Sequence, residues 1–589
     1  MTNYTTQKST YDKFPFIEVA PIHDTCYCGW DAINGQLKRS MCELGKGLRY
    51  LVIDCYSGVI DSEVKTALMQ GVKHIKFVDT RDVMLSCEQI NAFFRDDVTD
   101  DEIFGYRTRY HIDAYFDPNR IKHLHSELSG LDGDNVAVIY GVGAAYVAPR
   151  IDLLVYADMA RWEIQMRYRR NEAWNVGVDN RDERASLKYK RGFFVDWRIL
   201  DRHKKRLIEK WDYVLDTNKQ NAPKMTAGEA VRHTLKQAVC RPFRVVPFFD
   251  PGPWGGQWMK EVCDLDREAI NFAWCFDCVP EENSLLLKFS NALFEIPSID
   301  LVFYQPHQLL GEAVYGRFGD EFPIRFDFLD TMNGGNLSLQ VHPLTEYIQE
   351  KFGMHYTQDE SYYIVDAEPD AFVYLGLKEN VDPDAMINEL EKSLDIGTFD
   401  AERHVGKYPV RKHDHFLIPA GTVHCSGKDS VVLEISATPN IFTFKLWDWG
   451  RLDLNGRPRP INIEHGRNSI QWERTENWVR ENLLNKVKAI DSGDGWREES
   501  TGLHEREFIE TRRFWFTKKT HHHTHNGVNV LNLIEGREVI VESPHDTFEP
   551  FVVHYAETFI IPACAREYTI RPYGEAEGKE CGIIKAYVR

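Results

Sequence analysis

Gln340 and His342 stand two residues apart in NLSLQVHP, residues 336–343. Residues two apart on a strand point the same way, so this amide and imidazole share a face while Val341 takes the other. Pro343 ends the regular pairing. Two buried polar groups side by side need partners, because unpaired ones are costly inside a core, and a metal ion satisfies both. Further along, Glu360 opens the strand-like run ESYYIV, and His424 closes HDHFLIPAGTVH. An amide, two imidazoles and a carboxylate form a nitrogen and oxygen donor set suited to a borderline divalent ion such as zinc. Four protein ligands leave zinc able to expand to a fifth, exchangeable position. The competing reading places His342 and His424 in the core, satisfied by backbone carbonyls.

The elements that must position these residues fall into three blocks. Residues 1–240 alternate short apolar runs, YLVID (50–54), NVAVIYG (135–141) and IDLLVYAD (151–158), with helical stretches such as MARWEIQMRYRR. That alternation predicts a parallel, doubly wound α/β sheet. DYVLDTN (212–218) reads as a late strand, and TAGEAVRHTLKQAV as a closing helix capped by Thr226. Residues 241–495 read as short strands separated by turn signals, the all-β pattern. Helical insertions are expected at 382–395 and 469–487. Residues 496–589 are β again. IPAGTVH in the second block and IPACARE in the third both close a strand with Ile-Pro-Ala, which points to an internal duplication of one barrel type.

Composition limits the function classes. A chain of 589 residues is too long for one domain. Its net charge of −19 argues against a nucleic-acid partner. No apolar run reaches the ~18 residues of a membrane span. The polar start, MTNYTTQKSTYDKF, lacks a signal core. Twelve scattered cysteines fit a reduced cytoplasm. Nothing in the sequence speaks to oligomeric state.

FPIRFDFLDTMNGGNLSLQVHP, the glutamate before SYYIV, IPAGTVH and FKLWDWGRLDLNGRPRPINIE occur in this order, preceded by PWGGQW at 253–258. Over about residues 245–589 the chain thereby resembles the type I mannose-6-phosphate isomerases. The resemblance implies cupin-type barrels with an inserted helical portion. It also implies one zinc ion per chain, held by Gln340, His342, Glu360 and His424, and a phosphorylated hexose substrate. Ser338, one strand step before Gln340 on the same face, matches the family's serine beside the ligands and is expected to touch substrate. Two positions depart from the family. Gln358 stands where its members carry a lysine two residues before the glutamate ligand. Lys445 stands where they carry an arginine, keeping the charge but losing the bidentate fork. A desolvated lysine can also act as a base, so Lys445, with Arg451 nearby, is the expected catalytic group, and Gln358 a substrate contact.

The first block resembles uridine kinase and phosphoribulokinase-type P-loop proteins over about residues 45–220. A working phosphate loop needs GxxxxGK[ST]. CYSGVIDSEV, after YLVID, has only Gly58 and no lysine between Lys46 and Lys65, while Asp54 and Asp61 repel phosphate. Tyr140 stands where relatives often carry an acid. The implied fold is a kinase-like domain that has lost ATP binding.

Three other stretches are weighed. Cys275 and Cys278 of WCFDC are half a zinc site at most and read as core cysteines. His523 and His525 of HHHTH (521–525) read as the polar, partly exposed start of a strand. The basic stretch KYKRGFFVDWRILDRHKKR (188–206) reads as a solvated helix face or an interdomain surface. The expected activity is zinc-dependent interconversion of mannose 6-phosphate and fructose 6-phosphate. The alternatives are an isomerase for another phosphosugar, a bifunctional kinase–isomerase, or a non-catalytic sugar-phosphate or nucleotide sensor.

Overall fold

The computed structural model describes residues 8–439, 441–453, 456, 458–502, 504 and 507–589. The chain forms two compact units. One comprises Phe16–Gln237 and Ser284–Tyr304, the other Met1–Pro15, Ala238–Asn283 and Gln305–Arg589.

The first unit is built on a seven-stranded sheet. Its order is Cys26–Cys28, Lys224–Ala227, Tyr213–Asp216, Leu153–Asp158, Arg49–Cys55, Val136–Gly141 and Lys76–Asp79. The last five run parallel. Leu51, Val52 and Ile53 are buried in succession, as in a sheet covered on both faces. Helices Trp30–Glu43 and Asp61–Gly71 pack Ile33, Leu37, Val64 and Leu68 onto it.

Three expectations for this region are corrected. Thr226 does not cap the closing helix, which runs Gly228–Ala238. Thr226 lies in the preceding strand and donates its hydroxyl to the Thr25 carbonyl at 2.8 Å. Residues 284–304, read as part of the second block, belong to the first unit. Their apolar strand Ser284–Lys288 pairs in parallel with Phe16–Glu18 and hairpins to Leu293–Pro297. The basic stretch 188–206 is no solvated face either. Lys188, Lys190 and Lys204 are buried. Lys204 is neutralised by Asp158 at 2.7 Å and Asp300 at 2.9 Å, and Lys188 donates to Asn171 and the Arg181 carbonyl.

The second unit carries two β modules of two sheets each. In the first, the order His415–Ile418, Glu360–Ala367, Ser430–Ala437, Ile324–Asp330, Trp274–Cys278, Phe248–Asp250 makes one sheet. The other runs Val405–Pro409, Phe372–Leu377, His424–Ser426, Leu339–Val341, Phe444–Trp447. In the C-terminal module, Ile509–Phe516, Cys581–Val588 and Asn529–Glu535 lie in a six-stranded sheet, and Thr520–His523 and Glu567–Pro572 in a four-stranded one. Phe514, Leu531, Val541, Tyr568 and Ile583 fill the core between them. Strands His415–Ile418 and Thr558–Ile561 both stop at the isoleucine of Ile-Pro-Ala, where proline removes the ladder donor.

The helix Pro383–Ile396 is present, capped by the Asp382 side chain. The second expected helical insertion is not: of 469–487 only Glu476–Asn482 is an α-helix. Both flanks are drawn into the module instead, with Thr475 bridging Leu377 and Leu484 bridging Phe416. The Arg474 guanidinium, donating to the Pro419 and Ala420 carbonyls, fixes the bend. None of the twelve cysteines forms a disulfide. Cys275 and Cys278 are buried on the strand Trp274–Cys278. Among the described residues no helix is long and apolar enough to cross a membrane.

Candidate metal centre

The two sheets of the first module meet at a buried polar cluster. Gln340 lies on the short strand Leu339–Val341, directly opposite His424 on one neighbour and Lys445 on the other. His342 follows where that strand ends at Val341–Pro343. Glu360 is the first residue of a strand in the facing sheet. The turn that delivers His424 needs a glycine. Gly421 has φ +87°, and the Thr422 N–H returns to the Pro419 carbonyl at 3.1 Å, a type II arrangement. The Gly421 N–H in turn donates to the His342 carbonyl at 2.9 Å, tying the two histidine segments together.

His342, Glu360 and His424 are all buried and offer ligand atoms within 4.8 Å of one another. His342 Nδ1 lies 3.0 Å from the Phe442 carbonyl, and His424 Nδ1 lies 2.9 Å from the Thr422 carbonyl. Each Nδ1–H donates there, which leaves both Nε2 atoms as lone-pair donors, the usual support for a metal-binding imidazole. Those lone pairs face a carboxylate: His342 Nε2 is 3.1 Å from Glu360 Oε2, and His424 Nε2 is 2.8 Å from Glu360 Oε1. His342 Nε2 and Glu360 Oε1 have no hydrogen-bond partner. Two imidazole nitrogens and a carboxylate gathered around one point in a dry interior are satisfied by a shared proton or by a divalent metal, and the donor set fits the metal. Burial disfavours charge on both residues, yet His342 and His424 hold Glu360 well below the usual carboxylate range, and Glu360 raises His342 above the usual imidazole range.

The other expected residues surround this group. Gln340 accepts from Ser338 Oγ at 2.9 Å through Oε1 and turns Nε2 to within 3.1 Å of His424 Nε2. A half-turn of the amide exchanges its ends, presenting Oε1 to the cluster and Nε2 to Ser338. Gln358 is buried and bonded to two carboxylates: its Nε2 donates to Glu360 at 3.0 Å and to Glu434 at 3.1 Å. Lys445 is partly buried and has no side-chain hydrogen bond or ion pair among the described residues. Burial first, then Arg459 and Arg451 against the attraction of Asp448, bring its ammonium down to about 8. Arg451 is committed to Asp448, and Arg459 grips the other Asp448 oxygen at 2.5 Å.

Sequence reasoning missed a second layer. Arg325 reaches Asp327 at 2.8 Å and Glu434 at 3.3 Å, and Ser436 donates to Glu434 at 2.9 Å. Burial raises both acids, Asp327 to about 7. The signal was available: FPIRFDFLD and VVLEISA are buried strand patterns that carry charge on an inward face, which demands partners.

A two-sheet β module holding a His/Glu/His group in its interior is a metal-site class of architecture. Its relatives narrow the class. Mannose-6-phosphate isomerase of Streptococcus mutans is 26% identical over 213 residues, 36% of this chain and 62% of that protein. Mannose-6-phosphate isomerase ManA of Bacillus subtilis is 25% identical over 219 residues, 37% of this chain and 64% of that one. The chain spans less than two thirds of the length of these relatives. A crystal structure of mannose 6-phosphate isomerase from Bacillus subtilis aligns with a TM-score of 0.47 at 20% identity, over 59% of this chain and 99% of that one. The family described as a domain of unknown function (DUF8485) matches residues 29–240.

Proposed function

We propose that the chain is a zinc-dependent aldose–ketose isomerase acting on a phosphorylated hexose, with mannose 6-phosphate and fructose 6-phosphate as its pair. The observation that carries this reading is the convergence of His342 Nε2, His424 Nε2 and the Glu360 carboxylate in one buried point, each imidazole held by a backbone carbonyl. The sequence relatives support the substrate class. His342, Glu360, His424 and, after its amide turn, Gln340 would hold one zinc ion. When bound, zinc supplies a Lewis acid that polarises the sugar carbonyl and its neighbouring hydroxyl. Ser338 fixes the Gln340 amide, and Gln358 fixes the Glu360 carboxylate, the kind of outer support that keeps ligands aimed. Lys445, on the face of Gln340 and without an anion of its own, meets the negative charge of the phosphate or of the developing enediolate. Arg451 and Arg459 keep Asp448 from neutralising it.

The test is fructose 6-phosphate formation from mannose 6-phosphate by the purified, zinc-loaded chain. Turnover is expected, lost on chelation and restored by zinc. His342→Ala is expected to lose both turnover and bound zinc by elemental analysis; retention of both by that variant sinks the site assignment. One observation favours a second reading, a sugar-phosphate sensor: the Gln358 amide is spent on two buried carboxylates where a lysine would face substrate. Stoichiometric zinc with no turnover on any hexose phosphate would select it. For residues 1–240 we propose a kinase-like domain without a working nucleotide site, supported by its parallel sheet.

A further inference from the structure

The HHHTH stretch takes no part in the metal centre, yet it borders a cavity of about 420 Å³ in the C-terminal module, lined by Phe514, His522, His523, His525, Tyr568 and Lys585 among others. The lining comes from both sheets. Cys581, Ile583 and Lys585 share one face of their strand, and the first two belong to the apolar core. Lys585 continues that row inward, 5% exposed, with Arg512 and Leu531 as its cross-strand neighbours. Its ammonium lies 5.1 Å from the centre of the Phe514 ring. Among the described residues no carboxylate comes within ion-pair distance of it. The two glutamates on the cavity wall are engaged elsewhere, Glu498 with Arg512 at 3.6 Å and Glu567 with His545 at 3.0 Å. An ammonium directed into a core without a counter-ion is costly to maintain.

His522 faces the same space from the other sheet. Its Nε2 lies 2.8 Å from Thr520 Oγ1, which donates to the Ile570 carbonyl at 3.1 Å. The threonine therefore accepts from Nε2–H, and Nδ1 keeps its lone pair, buried and without a partner. The ring stacks on Tyr568 at 5.1 Å. His523 Nδ1 accepts the His525 N–H at 2.7 Å, which leaves Nε2–H as a donor. These imidazoles form no metal-competent cluster: the His/Glu/His group of the first module is the one such group of three or more among the described residues.

The cavity thus presents a cation without an ion-pair partner, histidine side chains able to exchange hydrogen bonds with hydroxyls, and two aromatic rings suited to C–H faces. We infer that it is a second ligand site, holding a small polyhydroxylated anion, a sugar phosphate or sugar acid, with Lys585 on the anionic group and the histidines of the wall on its hydroxyls. The volume lies in the range of small-molecule sites. The inference stands apart from the isomerase reading, since no residue is shared between the two sites.

Isothermal titration of the full-length chain tests it, in a His342→Ala background that silences the first site. The probes are glucose 6-phosphate, gluconate, inorganic phosphate and glucose. Glucose 6-phosphate or gluconate is expected to bind with a one-to-one end point, and whichever binds identifies a phosphoryl or a carboxylate anion. Adding Lys585→Gln is expected to weaken that binding about tenfold or more, as loss of a charged hydrogen bond does. Lys585→Arg should retain it. Lys585→Met, which removes a buried charge and adds no polar group, is the second variant; it should melt no lower than the parent and bind no better than Lys585→Gln. Absence of binding by both hydroxylated anions overturns the inference. So does binding undiminished in Lys585→Gln and Lys585→Met, or inorganic phosphate binding as tightly as glucose 6-phosphate.

Discussion

The proposed chemistry of the metal centre turns on Lys445. This lysine sits across the ladder from Gln340, which places it on the strand next to the cluster. Burial and the two flanking arginines bring it to about 8. The charged form is the one disfavoured, so the cation is present below that value and lost as pH rises through it. If Lys445 serves as the cation for phosphate or enediolate, kcat/KM falls across a limb near pH 8. Lys445→Arg then moves the limb to higher pH because guanidinium does not titrate there, and Lys445→Met lowers kcat/KM at every pH and abolishes the limb. A limb of opposite sign, with kcat/KM rising through pH 8, identifies the neutral amine as a base instead. Residues of this kind were legible in the sequence because their types sit in distinctive strings. His342 and His424 announce themselves through QVHP and AGTVH, whereas Arg459 does not, because its role depends on which Asp448 oxygen Arg451 leaves open.

At the scale of elements, the metal centre depends on one turn. Period-two alternation placed Gln340 and His342 on a common face, and the Ile-Pro-Ala strand end was readable in both modules. What alternation does not encode is which strands become neighbours. The pairing of Leu339–Val341 with both His424–Ser426 and Phe444–Trp447 joins segments about a hundred residues apart, and it decides that Gln340, His424 and Lys445 meet. For the same reason 469–487 looked helical: its local pattern is amphipathic, but tertiary pairing at Thr475 and Leu484 overrides local propensity at both flanks. The Gly421 turn gives this scale its test. A Cβ there would lie 2.7 Å from Gln471 Cγ and 2.9 Å from the Ser469 carbonyl oxygen, on a backbone with φ +87°. Gly421→Ala is expected to destabilise the chain by about 1–2 kcal/mol from the left-handed conformation alone, read as a lower denaturant midpoint. Because the Gly421 N–H binds the His342 carbonyl, the same variant should also release zinc at lower chelator concentration. A lower midpoint with unchanged zinc retention would separate the turn from the metal centre.

At the scale of the whole molecule, the β modules supply a candidate metal centre and a histidine-lined cavity, while the first unit has the doubly wound sheet that in other proteins binds nucleotides at the carboxyl ends of its strands. Its own residues argue against that use. Asp54, at the end of the strand Arg49–Cys55, fills the place of an anion: its carboxylate accepts the Ala145 N–H at 2.8 Å and lies 2.9 Å from His203 Nε2. The loop that follows borders a cavity of about 660 Å³ lined by Lys65, Arg81 and Arg181, and the first two of these cations are already matched by carboxylates. Lys65 pairs with Asp79 at 2.5 Å, and Arg81 with Asp79 at 2.7 Å and Asp61 at 3.0 Å. A triphosphate entering there would displace carboxylates from both cations and meet Asp61 and Asp79 freed beside it, a like-charge arrangement that phosphate-binding loops avoid by using glycine backbone and an unpaired lysine. The expected outcome is that magnesium-ATP at millimolar concentration leaves the melting temperature of the full chain unchanged, since a ligand that binds only the folded state must raise it. The double substitution Asp61→Asn, Asp79→Asn, which frees Lys65 and Arg81, should allow inorganic phosphate to raise the melting temperature where the parent chain shows no shift. A clear ATP-dependent rise in the parent would show that the carboxylates yield to the nucleotide, and the chain would then bind nucleotide after all.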